Sequence, residues 1–87
     1  MRLKREDWTE EDEDIATFCL LEMTHYDASE WVGYEIIFKP IRNAFPDVTD
    51  RHIAEIVSQL HYENKLIVHI KRDNVFLQGI ERIGVIK

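Results

Sequence analysis

Between Phe45 and Leu60 the chain leaves its backbone little choice. Phe45-Pro46-Asp47-Val48 carries turn-forming residues. Thr49 follows as a good N-cap, and Val48 before it with Ile53 after it forms a hydrophobic staple, so a helix starts here. Ile53, Ile56, Val57 and Leu60 then recur at helical spacing, and Asn64-Lys65 supplies an Asn suited to the left-handed residue that ends a helix. With Ile53 at the origin and about 100° per residue, the other three apolar residues fall within about 60° of it. Arg51, Glu55, Ser58 and Tyr62 occupy the opposite face, flanked by His52 and Gln59. Such a helix needs other elements to cover its inner stripe.

Upstream, Thr9 with Asp12 three residues later is a variant capping box. Ile15, Phe18, Cys19, Met23 and Tyr26 continue as an apolar stripe, predicting a first helix from about Glu10 to Thr24 or His25. Leu20 and Leu21 fall off that stripe, on the side that a helix of a small monomer would keep polar. Glu30-Trp31-Val32 reads as a short extended stretch before Gly33. Tyr34, Ile37, Ile41, Ala44 and Phe45 then outline a second helix from about Tyr34 to Phe45. Pro40 either kinks this helix or starts it, and the unbroken stripe favours the kink.

Downstream, Leu66-Ile67-Val68-His69-Ile70 and Val75-Phe76-Leu77 are β-rich runs on either side of the polar turn Lys71-Arg72-Asp73-Asn74, and are expected to pair as a hairpin. The tail spaces Ile80, Ile83 and Ile86 three apart, as a short helix or an irregular apolar strap. At 87 residues, 1–87 is expected to be one domain, with its core at about 9–78 and an apolar tail at 79–87.

Chemistry is hard to find. No Gly-rich phosphate loop occurs, and Gly33, Gly79 and Gly84 are scattered. His25, His52, His61 and His69 include no pair at i, i+4, so no helical zinc site is expected. Cys19 lies on the apolar stripe of the first helix, where a thiol is inert. No enzyme activity, cofactor or metal is therefore expected. A single Cys, no signal-peptide pattern and apolar runs no longer than Ile36-Ile37-Phe38 lead to the expectation of a cytoplasmic protein off the membrane.

The net charge of −6, from 17 acids and 11 bases, argues at first against phosphate partners. It is unevenly spread. Residues 1–30 hold ten acids and three bases, a net of −7, whereas residues 31–87 hold seven acids and eight bases, a net of +1. Glu6 to Asp14 alone contain seven acids and no base.

Helix, short strand, helix, tight turn, helix and hairpin is an order that resembles the winged helix-turn-helix superfamily, over roughly Thr9 to Leu77. The residues that carry the resemblance are Pro46-Asp47-Val48-Thr49-Asp50-Arg51-His52-Ile53-Ala54-Glu55-Ile56-Val57-Ser58-Gln59-Leu60 and the passage Glu63-Asn64-Lys65-Leu66-Ile67. In size and pattern the chain is similar to compact winged-helix proteins of prokaryotes and their viruses. The resemblance implies an α+β fold of three helices with a two- to three-stranded antiparallel wing, and a DNA-binding transcriptional regulator whose third helix enters the major groove.

Arg51, Glu55 and Gln59 would then read guanine, cytosine and adenine edges, with His52 beside them and Ser58 and Tyr62 reaching phosphate. Lys71 and Arg72 at the hairpin tip are either wing contacts to phosphate or residues that guard an edge hairpin. Lys39 and Arg42 are further candidate phosphate contacts. Leu20, Leu21, Ile80, Ile83 and Ile86 are expected at a homodimer interface, which would set two recognition helices about 34 Å apart on double-stranded DNA. The alternative is a winged-helix protein-interaction module or small inhibitor that offers its acidic first helix to a basic protein partner.

Overall fold

A computed structural model describes residues 3–27, 30–70 and 80–84 of the chain. After a single 3-10 turn at Arg5–Asp7 come α1 (Glu10–Met23), β1 (Trp31–Gly33), α2 (Tyr34–Ala44), α3 (Asp50–Tyr62), β2 (Ile67–Ile70) and β3 (Ile80–Gly84). The fold is α+β, three helices and a small three-stranded antiparallel sheet, an arrangement compatible with a winged-helix-like fold.

Local chemistry sets the helix starts. The Thr9 hydroxyl accepts the Asp12 amide at 3.2 Å while Asp12 Oδ2 accepts the Thr9 amide at 3.0 Å, closing the capping box of α1. Thr49 caps α3 in the same way, accepting the His52 amide at 3.1 Å. At its other end α3 closes with Asn64 at a φ of 60°, and the Lys65 amide reaches back to the Leu60 carbonyl at 2.9 Å. That pair of features is a Schellman turn, with Asn tolerating the left-handed position as the sequence predicts.

Pro40 sits inside α2, which runs on through it. Its missing N–H deprives the carbonyl of Ile36, an exposed position where the loss costs little.

The sheet corrects one expectation. β2 pairs with β3, Val68 opposite Ile83, and Val75–Leu77 lie outside the described residues. What the sequence suggests is a helical or irregular tail is in fact the central strand, in the order β1-β3-β2, with Val32 of β1 opposite Ile83 on the other side. Period-3 isoleucines look helical, but in the strand it is the alternation of two that turns Ile83 inward, between Val32 and Val68. Across all three strands Val32, Val68 and Ile83 face the helices, whereas Trp31, Ile67, His69 and Arg82 face outward. The Trp31 ring lies over Gly84, where an added Cβ would meet it at 3.3 Å.

Between sheet and helices Ile15, Ile37, Phe38, Ile41, Ile53, Ile56, Leu60, Leu66 and Ile83 are fully buried, with Phe18 and Phe45 meeting edge to face at 6.0 Å along the border. Ile83 at 0% exposure belongs to the core of one chain and is withdrawn from any dimer contact. Leu20 is half-buried against the same core, whereas Leu21 stays 60% exposed. The Ile80 side chain and Ile86 lie outside the described residues. No helix among the described residues is long and apolar enough to cross a membrane.

Truncating Ile83 to Ala should lower the unfolding free energy by about 3 kcal/mol in urea titration, the cost of a cavity in a closed core. Leu21→Ala should change it by less than about 0.5 kcal/mol at low protein concentration, as expected for an exposed position.

Candidate functional site on the third helix

The outward strip of α3 follows from its register. The residues facing α1, α2 and the sheet are Ile53, Ala54, Ile56, Val57 and Leu60, which leaves Arg51 and Tyr62 exposed and Glu55 and Ser58 half-buried between them. Tyr62 is 63% exposed. Arg51 makes no ion pair with any described residue. Four of the residues expected on this face are therefore together on it.

The two flanking residues have other partners. Gln59 is only 5% exposed, donates Nε2 to Glu63 Oε2 at 2.8 Å, and keeps Oε1 buried without a hydrogen-bond partner. That placement takes it out of any direct contact with a base edge. At about 240° from Ile53 it borders the apolar stripe closely enough for α1 and the N-terminal segment to cover it. His52 is half-buried and places Nε2 2.6 Å from Oδ1 of Asp12 in α1. Burial pushes the Asp12 carboxyl up, but hydrogen bonds from His52 and from the Thr9 backbone outweigh it and hold Asp12 below its ordinary value. With Asp12 ionised, His52 Nε2 carries the proton and donates, so only Nδ1 is left for another partner.

Arg42 is likewise occupied. Its guanidinium reaches both carboxylate oxygens of Asp50 at 2.8 and 3.0 Å and also binds Glu35, so its charge is balanced within the chain rather than offered to phosphate. Lys39 on α2 is exposed and without an ion pair among the described residues. Lys71 and Arg72 lie outside the described residues.

Around the start of α3, Glu11, Asp47, Val48, Thr49 and His52 line a shallow depression of about 280 Å³. The acidic first turn of α1 thus lies beside the first turn of α3. Glu10, Glu11 and Asp14 are all exposed, and of these Glu11 lines the depression.

At the other end of α3 sits a group that sequence reading overlooked. Arg5 forks onto Glu63, Nη2 to Oε1 at 2.6 Å and Nε to Oε2 at 3.0 Å, and also reaches Glu13 at 2.7 Å. Its guanidinium lies 3.9 Å over the Trp8 ring, and the Trp8 indole N–H closes the segment by donating to the Leu3 carbonyl at 3.0 Å. The segment before α1 is thereby fastened to the end of α3, and Lys4, Arg5, Glu6, Gln59 and Tyr62 line a second depression of about 320 Å³. Only the basic pair before the acidic run hints at it in the sequence, without a partner position.

The paired guanidinium of Arg5 holds Glu63 at about 2, against an ordinary 4.5, and Glu63 in turn pushes Arg5 up. Burial pushes the Cys19 thiol up to about 12, so it stays protonated. No group of three His, Cys, Asp or Glu able to hold a metal occurs among the described residues.

Comparison with family models, with curated proteins and with solved structures returned no match.

A carboxyl held low in the folded chain contributes stability above its unfolded value and loses it as the pH falls. Stability should therefore decline on acidification from about 4.5 towards about 2 as Glu63 protonates. In Glu63→Gln, thermal melts over this range should show a shallower pH slope and a lower plateau at neutral pH. An unchanged slope would show that the Arg5–Glu63 pair does not hold the segment in solution.

Proposed function

We propose that this chain is a DNA-binding transcriptional regulator of winged-helix type, with α3 in the major groove and the β2–β3 wing on the backbone. The order α1, β1, α2, α3, β2, β3 with β3 central supports this reading, because the outward face of α3 keeps Arg51 and Tyr62 exposed. The observation that carries it is the outward face of α3, Arg51 and Tyr62 exposed with Glu55 and Ser58 half-buried between them, on a helix capped at both ends.

Arg51 is the guanine reader, Glu55 accepts from a cytosine amino group, and Ser58 and Tyr62 reach phosphate. Lys39 on α2, and Lys71 and Arg72, add phosphate contacts. Two copies related by a two-fold axis would present two such strips to a palindromic site, with Leu21 as the part of the expected contact that is still exposed.

A second reading has its own observation. Glu11 and Asp47 line the depression at the start of α3, where a phosphate would otherwise approach, and Glu10 and Asp14 are exposed on α1. A carboxylate-lined edge suits a basic protein, and the chain would then be an interaction module or inhibitor.

Gel shifts of genomic fragments at moderate salt separate the two. The DNA reading expects a retarded complex at micromolar protein or below, with Arg51→Ala weakening it about 5- to 100-fold, the usual range for one base contact. No complex, or one indifferent to Arg51→Ala, would sink it. The acidic-edge reading expects wild type to bind a lysine-rich peptide and a variant with Glu10→Gln, Glu11→Gln and Asp14→Asn to lose it, with no DNA complex in either.

A further inference from the structure

We propose that the N-terminal segment is part of the same binding surface, with Lys4 supplying a phosphate contact beside Tyr62 at the C-terminal end of α3. This rests on the DNA-binding reading above. Arg51 and Tyr62 are eleven residues apart, about 16 Å along the helix axis. That span exceeds the roughly 12 Å width of a major groove, so with the start of α3 on base edges its C-terminal end comes near a phosphate backbone. The one cation on the strip, Arg51, stands at its start and is used on a base edge, and Ser58 and Tyr62 bring no cation to the other end.

The segment carrying Lys4 is held against that bare end. The forked Arg5–Glu63 pair and the stack on Trp8 fix the turn Arg5–Asp7, and Lys4 shares a depression with Tyr62 and Gln59. Arg5 is spent on Glu63 and Glu13, but Lys4 is exposed and without a carboxylate partner among the described residues. The opposing group is Glu6, exposed in the same lining, and its carboxylate weakens the attraction.

The experiment is fluorescence polarisation with a fluorescein-labelled 30-base-pair duplex of mixed sequence, across a series of salt concentrations, for wild type, Lys4→Ala, Glu6→Gln and Arg51→Ala. Loss of one phosphate contact predicts that Lys4→Ala binds roughly tenfold more weakly at about 50 mM salt and that its log–log salt slope falls by about 0.9. Glu6→Gln should bind more tightly than wild type. Thermal melts of both should match wild type, because neither residue takes part in the Arg5 clamp.

If Arg51→Ala weakens binding and Lys4→Ala leaves both affinity and slope unchanged, the inference fails while the DNA-binding reading stands. If wild type does not bind the duplex at all, both fall.

Discussion

Much of this molecule hangs on one buried carboxylate. Asp12 is 4% exposed and is used three times, accepting the Thr9 amide, offering its own amide to the Thr9 hydroxyl, and accepting from His52 across to α3. The first two bonds start α1; the third sets α1 against the first turn of α3. A buried charge survives only when its lone pairs are filled, and here the partners come from two helices, so both must be in place together. The same contact brings the exposed acids of the first turn of α1 next to the start of α3, and so shapes the surface on which any reading of function depends.

At the far end of α3 a complementary arrangement repeats in opposite sign. Glu63 takes the Arg5 fork and the Gln59 amide, so a base from the acidic half of the sequence ends beside the C-terminal turn of the helix. The partition of charge along the chain, net −7 then +1, is therefore not a partition in space. Folding sets acids and bases from distant parts of the chain beside each other at both ends of α3, Asp12 with His52 and Arg42 with Asp50 at its start, Arg5 with Glu63 and Glu13 at its end, and a linear count has no access to that pairing.

The helices were legible because their signals are local. Thr9, Thr49 and Asn64 announce their ends through backbone bonds to near neighbours, and the stripes of Ile53 to Leu60 and Ile15 to Met23 point inward as their spacing requires. The sheet was only half legible, because strand pairing is decided by residues far away: Ile83 joins Val32 and Val68 only once all three lie in the same plane. On the candidate strip, angle alone placed Arg51, Glu55, Ser58 and Tyr62 outward. Angle could not show that Arg42 meets Glu35 and Asp50, or that Gln59 turns to Glu63, since those contacts depend on neighbours from other elements.

The position of β3 also bears on the order of events during synthesis. All three helices and both outer strands leave the ribosome before Ile80 to Gly84, so until those five residues emerge β1 and β2 have no strand between them and the floor beneath Val32 and Val68 is open. Trp31 waits for Gly84 across more than half the chain. Contacts of such long sequence separation are slow to close, and until β3 pairs, the edges of β1 and β2 that face it keep backbone groups without strand partners.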